Sequence, residues 1–433
     1  MSFQPILITE IELSEPLIEL RNENLAYQAP YRAAMLVVRL HQTVIGSVEI
    51  PFDSQILRPS DYVAEVWAHL ATEINSHLEQ DKLQPVTELS PEGIQIHGEP
   101  RCLSSLNSFL EDAPFVSVVV CTHDRTRFLR ESLPRLMVLN YPYFEVIVVD
   151  NAPSTSETYD YIQAEYQDNA IVRYVREDQA GLSWARNCGI RHARAEYIAF
   201  TDDDAYADPY WLGYLIRNFF ELEEVACVTG LTLPLELEYE AQIWFEQFGG
   251  FGKGFKRLVF DMDENRRDHV LYPFTVAQYG AGVNMAFRTD ILRKLNGFIV
   301  QINQADDISM FVKIITHGYK IVYEPNGFVY HKHRADYEGL RRQIYNYGIG
   351  LSHFLIHMIL SDWTWLFRVA PRIPAAVIHL LSTKSYKNEN KEIGYPTELT
   401  WLERKGMLAG PVTYWQYARK VRGLHSVVEQ ESH

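Results

Sequence analysis

Short apolar runs alternate with helical segments through the middle of the chain. The apolar runs are rich in β-branched residues and occupy positions 115–121, 144–150, 171–175 and 196–200. The segments between them have helical character and occupy positions 127–139, 156–167 and 182–193. Nearly continuous apolar runs of this length are typical of strands that are buried on both faces of a sheet. The alternation therefore predicts an α/β fold, with a mostly parallel, doubly wound sheet flanked by helices.

The first hundred or so residues have a different pattern. Two strand-like runs, 33–40 and 44–51, are separated by a short polar turn and predict a hairpin. The helical segment that follows has one apolar face, and Ser60 is its expected N-cap. Residues 81–114 are polar and contain four prolines, which indicates a linker. We therefore predict a small α+β accessory domain over residues 1–112.

Beyond Tyr337 the pattern is helical but interrupted by charged residues and prolines. The segments are too polar to span a bilayer. Their tryptophans and arginines would suit helices that lie in a membrane interface, so residues 340–382 are a candidate peripheral membrane contact. Helices packed on the central domain are an equally compatible alternative. The chain is thus predicted to divide into the accessory domain, a catalytic domain over 113–336 and a helical region over 337–433.

Composition narrows the class of protein. The chain has 433 residues, enough for two or three domains at roughly 150 residues each. A net charge of −16 argues against a duplex-DNA binder, which needs a basic footprint. The four cysteines include no CxxC pair, which argues against a disulfide framework and against a structural zinc cluster. The N-terminus has no basic region of the kind found in signal peptides, so a cytoplasmic location is expected.

Carboxylates follow three of the predicted strands. The first strand is followed by "THDR" (122–125), the second ends at Asp150, and the fourth is followed by Asp202, Asp203 and Asp204. Ligands of open parallel sheets bind beyond the carboxyl ends of the strands, so these side chains are expected to converge. The first crossover contains neither GxGxxG nor a P-loop, which argues against a dinucleotide-binding domain and a P-loop NTPase.

Three consecutive aspartates need a counter-charge if they are buried. In extended backbone Asp202 and Asp204 point to the same side, an arrangement that suits a divalent cation. An exposed acidic turn that caps the next helix is the alternative. Oxygen ligands favour Mg²⁺ or Mn²⁺, usually shared with a substrate phosphate, so a phosphorylated, nucleotide-linked substrate is expected. Arg186 opens the helix after the third strand, where it would meet a base or a phosphate.

Six motifs in this region occur in the order found in glycosyltransferase family 2. They are "VSVVVCTHDR", "EVIVVDNAPS", "GLSWARNCGIRHA", "YIAFTDDDA", "GAGVNMAFR" and "ADDISMFVKIITHGYKIVYEPNGFVYHKHR". The resemblance covers roughly residues 115 to 335. It implies a Rossmann-like GT-A fold and an inverting, metal-dependent transfer, of the hexosyltransferase type, from a nucleotide-diphosphate sugar. The acceptor implied is a hydroxyl of a glycan or of a lipid-linked molecule, and the motifs specify neither the donor base, the sugar nor the linkage.

The resemblance also implies roles for single residues on the donor side. Thr122 and Asp124 match the first nucleotide-binding loop, Asp150 matches the aspartate that contacts the base, and Arg186 lies in the motif beside it. His123-Asp124 departs from the His-Asn or Tyr-Asn of many relatives.

The DXD motif and the acceptor-side motif follow. Asp202 and Asp203 are assigned to donor binding, and Asp204, with Asp202, to the metal. His331 is a further candidate metal ligand. Asp307 inherits the role of general base, at a helix start whose dipole favours its ionised form. Asp306 replaces the common glutamate, and "INQ" replaces the glycines that usually precede this motif.

Two further loops are candidates for the site. The segment 248–257 contains four glycines and three basic residues and would suit a lid over the diphosphate, although a plain flexible loop has the same composition. Gly280, Gly282 and Asn284 are expected to shape the sugar and acceptor pocket. Two other functions remain open from the sequence: a nucleotidyltransferase, which would normally carry a glycine-rich loop with a lysine, and a catalytically silent module that binds sugar nucleotides.

Overall fold

The predicted alternation of strands and helices is present in the computed structural model of the chain, which describes residues 3–24, 29–95, 98–269, 271–274, 278–302, 304–381, 391 and 394–431. The strands are β1 Ile6–Glu12, β2 Leu20–Arg21, β3 Ala33–Leu40, β4 Thr43–Pro51, β5 Ile56–Leu57, β6 Val116–Thr122, β7 Phe144–Asn151, β8 Val172–Glu177, β9 Tyr197–Asp202, β10 Ala205–Ala207, β11 Val225–Pro234, β12 Leu258–Phe260, β13 Asn284–Arg288 and β14 Lys320–His331.

The helices are α1 Pro59–Gln80, α2 Arg101–Glu111, α3 Thr126–Leu136, α4 Glu157–Tyr166, α5 Leu182–His192, α6 Trp211–Glu221, α7 Glu240–Phe248, α8 Thr289–Lys294, α9 Asp306–Thr316, α10 Tyr337–Ser361, α11 Trp365–Val369, α12 Ile373–Leu381 and α13 Thr397–Glu431. A 3₁₀ turn, Ala370–Arg372, joins α11 to α12.

A small unit precedes the main sheet. β3 and β4 form the predicted antiparallel hairpin, and β1 pairs with β3 in parallel. Helix α1 packs its apolar face on this sheet. Ser60 is not the N-cap, because the helix already begins at Pro59, where proline is favoured at the first position. The Asp61 carboxylate instead accepts a hydrogen bond from the Arg58 backbone N–H at 2.8 Å.

The stretch 81–114 is more than a linker. It contains α2, whose Leu106 is fully buried and lies against Gly213 of α6 in the main domain. Prolines flank this helix rather than interrupt it, which explains why the proline count of the stretch is misleading.

The main sheet is mixed and has the strand order β10-β14-β11-β13-β9-β6-β7-β8, with β12 added beside β14. β8, β7, β6 and β9 pair in parallel, as the sequence predicts, and β11 pairs in parallel with β14. β13 lies antiparallel between β9 and β11. The predicted α/β class, with a mostly parallel sheet flanked by helices, is therefore confirmed, and β13 is a reversed strand within it.

Helices cover both faces of this sheet. One core layer contains apolar side chains of α5, α8 and α9, and the other contains those of α3, α4 and α6. Because both faces are covered, every residue of β7 is buried, which accounts for its nearly continuous apolar sequence.

The C-terminal helices pack on the main domain. The contacts between α10 and α13 advance together along both helices, from Tyr337 with Glu398 to His357 with Tyr414, so the two helices run parallel. Their backbones approach so closely that a Cβ atom at Gly348 would lie 2.0 Å from the Glu403 carbonyl oxygen. No helix in the described part of the chain combines the length and the apolar character that crossing a membrane requires.

Candidate active site

The carboxylates that follow the strands meet at one edge of the sheet. Asp202 ends β9, and the turn that follows carries Asp203 and Asp204 before β10 begins. His331 ends the neighbouring strand β14 and is in register with Ala205 of β10. The antiparallel pairing of β10 with β14 brings His331 close to Asp202 and Asp204, although 127 positions of sequence separate Asp204 from His331.

Asp203 points away from this group. It accepts a hydrogen bond from the Thr122 hydroxyl at 2.7 Å, and the Arg125 guanidinium lies 2.9 Å from its other oxygen. Arg125 also pairs with Asp204. Burial raises the pKa of Asp203 even though Arg125 and Thr122 favour its ionised form.

Asp202, Asp204 and His331 lie close enough together that a single cation would reach all three. One ligand atom of each lies within 4.8 Å of the others, and Nε2 of His331 is 3.1 Å from Oδ1 of Asp204. That oxygen is buried and has no well-aligned hydrogen bond among the described residues. Two carboxylates and an imidazole are ligands that Mn²⁺ and Mg²⁺ accept, so the residues fit a divalent cation.

Neighbouring charges shift the pKa values of the groups in this cluster. Burial opposes ionisation of Asp204, but His331 and Arg125 outweigh it and lower the pKa of Asp204 well below its usual range. Burial likewise opposes the charged form of His331, yet Asp204 raises the pKa of the imidazole. His331 therefore carries a proton to higher pH than an ordinary histidine, and a cation has to displace that proton.

A second group of charges surrounds the start of α9. Arg186 is buried, and it donates to Asp306 at 2.6 Å and to the Gly282 carbonyl at 3.0 Å. Its guanidinium also lies 3.9 Å from Asp202, so it joins the two acidic motifs. The predicted contact of Arg186 with a base or a phosphate stays a prediction, and the structure adds these contacts within the protein.

Asp307 lies beside this ion pair. Its carboxylate accepts hydrogen bonds from the backbone N–H groups of Gly282 and Ile308, each at 2.8 Å. Burial and the neighbouring charge of Asp306 nevertheless raise the pKa of Asp307, against Arg186 and the two amides. The helix start therefore does not keep Asp307 as readily ionised as the sequence alone indicates.

The remaining donor-side candidates lie at β6 and β7. Asp150 is fully buried, and it accepts from the Tyr174 hydroxyl at 2.9 Å. Its Oδ1 has no hydrogen-bond partner in the described residues, and burial raises its pKa. Asp124 is exposed in a left-handed conformation and accepts from both the backbone N–H and the hydroxyl of Ser154.

The glycine-rich loop after α7 reaches the cation cluster. Phe251 packs edge-on against His331, with ring centroids 5.2 Å apart. Glu246 of α7 contacts Nε2 of His333 at 2.6 Å, and His333 lies beside His331. Burial lowers the pKa of Lys253 in this loop to about 8.

Sequence reasoning missed some of these residues and misplaced one. Arg125 was overlooked although it is the basic residue of the first loop, directly after the candidate Asp124. Asn284 does not line a pocket: it is fully buried, accepts from the Trp211 indole N–H and donates to the carbonyls of Leu231 and Gly327. The sequence alone does not distinguish an asparagine that lines a pocket from one that bonds to buried groups at the start of a strand.

Comparison with known proteins identifies the region that carries the donor-side part of this site, from β6 to the Asp202–Asp204 turn. Residues 117–296 match the model of the family described as glycosyl transferase family 2. The chain is 23% identical over 243 residues to glucosyl-dolichyl phosphate glucuronosyltransferase of Haloferax volcanii, in an alignment that covers 52% of this chain and 72% of that enzyme. It is 24% identical over 220 residues to pre-mycofactocin glycosyltransferase of Mycobacterium tuberculosis, with 51% of this chain and 43% of that one covered. The chain thus spans less than half of the mycobacterial protein.

Among solved structures, a mannosyltransferase from Pyrobaculum calidifontis in complex with GDP-Man and Mn²⁺ aligns with a TM-score of 0.44 and 18% identity, over 73% of this chain and 89% of that one. The mixed sheet with its flanking helices, described above, is the architecture that the GT-A fold implies. Together with the match over residues 117–296, it leads to one conclusion: the chain is a glycosyltransferase, and its residues 117–296 carry a domain that matches glycosyl transferase family 2.

Proposed function

We propose that the chain transfers a sugar, with inversion, from a nucleotide-diphosphate sugar to a hydroxyl group of a glycan or lipid-linked acceptor. The observation that carries this proposal is the pairing of two groups at one edge of the sheet. Asp202, Asp204 and His331 would together hold a cation, and Arg186 links them to the start of α9, where Asp307 lies.

Asp204, Asp202 and His331 would hold a Mn²⁺ or Mg²⁺ ion. Such an ion supplies positive charge to the departing diphosphate. Arg125 already contacts Asp204 and Asp203 and contributes positive charge beside these carboxylates. Lys253 adds a second positive group in the adjacent loop, which supports a role for the segment 248–257 in covering the diphosphate.

Asp307 is proposed as the general base. The pKa of Asp307 is raised toward neutral pH. A general base removes a proton from a hydroxyl group most effectively when its pKa lies near the working pH. The amides of Gly282 and Ile308 fix the orientation of the carboxylate. Asp306 and Arg186 act as positioning residues, because their mutual pair holds the start of α9 against α5.

A single general base, with no carboxylate nucleophile, gives inversion at the anomeric carbon by the reasoning that applies to glycosidases.

On the donor side, the unpartnered Oδ1 of Asp150 supports a contact with the nucleotide base. Thr122, Asp124 and Asp203 complete the proposed donor site.

The acceptor is proposed to be lipid-linked and to be met at the cytosolic face of a membrane. Apolar side chains of α11, of α12 and of the turn before α11 are exposed, and Arg368 and Arg372 lie among them in sequence. They are Trp363 (66% exposed), Leu366 (45%), Phe367 (66%), Ile373 (51%) and Ile378 (68%). An apolar surface flanked by arginines suits an interfacial contact. The name of the Haloferax relative, a glucosyl-dolichyl phosphate glucuronosyltransferase, supports a lipid-linked acceptor. Residue 382, the last of the predicted contact region, lies outside the described residues.

The proposal can be tested by thermal unfolding with UDP, GDP, dTDP, CDP and ADP, each with Mn²⁺ and with EDTA. A ligand at 100 times its dissociation constant adds about 2.7 kcal/mol of stability, so one nucleotide should raise the melting temperature when metal is present. Asp204→Asn should abolish the metal-dependent part of this rise. Asp290→Asn is a matched control, because that aspartate is 66% exposed at the start of α8. A nucleotide effect that is the same with EDTA, or that survives in Asp204→Asn, would contradict the metal role.

A further inference from the structure

A second cluster of metal-binding side chains lies in the N-terminal unit, outside the active site. His41 occupies the turn between β3 and β4, His77 and Asp81 lie one helical turn apart at the end of α1, and Cys102 lies in the first turn of α2. One potential ligand atom from each residue lies within 4.8 Å of the other three. The two histidines and Asp81 are buried, and Cys102 is partly so.

The potential ligand atoms of the four residues lie close to one another. Nδ1 of His41 lies 3.1 Å from Nε2 of His77 and 3.0 Å from Oδ2 of Asp81. That oxygen lies 3.3 Å from Nε2 of His77 and 3.0 Å from the Cys102 sulfur. The sulfur lies 3.9 Å from Nε2 of His77.

These separations match a tetrahedral zinc site. Zinc binds histidine nitrogen at about 2.0–2.1 Å and cysteine sulfur at about 2.3 Å, so the edges of its tetrahedron measure roughly 3.3–3.6 Å. The observed separations of 3.0 to 3.9 Å surround that range. Four protein ligands of the nitrogen, oxygen and sulfur type leave no open position, which is the mark of a structural rather than a catalytic zinc site.

The groups around the cluster support the same conclusion. The second oxygen of Asp81 accepts the backbone N–H of Cys102 at 2.8 Å, which orients the carboxylate as outer contacts orient metal ligands. In the part of the chain that the structure describes, the ion pairs of Asp81 are to the two histidines and to no lysine or arginine. A buried carboxylate in such a setting needs a positive charge, which a bound cation would supply.

We propose that His41, His77, Asp81 and Cys102 bind a structural zinc ion. Successive ligands are separated by 36, 4 and 21 positions along the chain. They include no CxxC pair, so no spacing motif indicates the site. The ion would join the β3–β4 turn, the end of α1 and the start of α2. Since α2 packs on α6 and leads into β6, the ion would also fix the N-terminal unit to the catalytic domain.

The test is the absorption spectrum of the full-length protein after its metal is replaced by Co²⁺. Tetrahedral Co²⁺ bound to a thiolate gives intense visible bands and a thiolate-to-metal band in the near ultraviolet. Cys102→Ser should remove the thiolate band. Cys188→Ser is the matched control, since Cys188 lies in α5 outside both clusters, and it should leave the band unchanged.

The active-site cation cluster contains no cysteine, so it cannot give the thiolate band. Asp204→Asn should therefore keep that band while losing metal-dependent nucleotide binding, which separates the two sites. If Cys102→Ser fails to fold, the wild-type spectrum decides. A wild-type protein that binds Co²⁺ without a thiolate band, or that binds no zinc after exposure to it and dialysis, would overturn the proposal.

Discussion

The Asp307 carboxylate is fixed by two backbone amides, and this allows its chemical role to be separated from its structural one. Asparagine has nearly the same shape and retains one oxygen, so Asp307→Asn keeps one acceptor for Gly282 or Ile308. What it removes is the ability to take a proton.

We expect Asp307→Asn to leave nucleotide binding intact and to lower turnover by at least ~100-fold, the usual contribution of a general base. Binding would be followed by thermal shift and turnover by release of the nucleotide diphosphate. Asp290→Asn should change neither quantity. Turnover near that of the wild type would move the role of base to another residue.

Asn284 shows what a single buried amide does for the fold. Its side chain bonds to α6, to β11 and to β14 at a point where the register between β11 and β14 shifts. Removing it would leave one indole N–H and two carbonyl groups without their partner.

We expect Asn284→Ala to lower the free energy of unfolding by about 3 kcal/mol or more, because each buried group left unpaired costs about 1–3 kcal/mol. Urea unfolding measures this loss. Asn140→Ala provides the control at an exposed position, where a change within about 0.5 kcal/mol is expected. A small loss at both positions would show that the amide network contributes little.

At the scale of elements, the sequence predicts what depends on local pattern. β6 to β9 and α3 to α5 lie within a few residues of their predicted positions, because each carries its own periodicity. β13 was not predicted as a reversed strand, since its direction is determined by its neighbours β9 and β11. The partners of Arg186 and the cluster at His41 were missed for the same reason: they depend on which elements meet in space.

Apolar side chains of α11, α12 and the turn before α11 are exposed to solvent. A combined Trp363→Ser and Phe367→Ser variant should bind anionic vesicles about tenfold or more weakly, because each buried aromatic contributes about 1.5–3 kcal/mol. Flotation with vesicles of phosphatidylglycerol and phosphatidylcholine measures this binding. A Val138→Ser and Tyr143→Ser variant removes comparable exposed apolar groups from the catalytic domain and should bind like the wild type. A wild-type protein that does not float would end the membrane proposal.

At the scale of the whole molecule, the division into domains 1–112, 113–336 and 337–433 stays a prediction. The structure does show how the first region is attached. Arg39 of β3 is buried and lies 2.8 Å from both Glu10 and Asp208, the second of which precedes α6 in the main domain. Burial raises the pKa of Asp208 although Arg39 opposes this.

Arg39→Ala should lower the free energy of unfolding by about 3–5 kcal/mol, because it leaves Asp208 buried without its partner. Arg32→Ala tests the same change at an exposed pair with Glu49, at 3.6 Å, where a loss of about 0–1 kcal/mol is expected. Urea unfolding followed by circular dichroism compares the two. Equal losses would mean that the Arg39 pair does not hold the N-terminal unit in place.

The contact between Glu10 and the Tyr330 hydroxyl, at 2.8 Å, joins residues 320 positions apart. Val44 and Asn326 make a similar contact across 282 positions. A ribosome that adds about 5 to 20 residues per second needs roughly 16 to 64 s to reach Tyr330 after Glu10. During synthesis the surface of the first unit that contacts Tyr330 and Asn326 therefore stays exposed until β14 has been made. Chaperones can bind this surface during that interval.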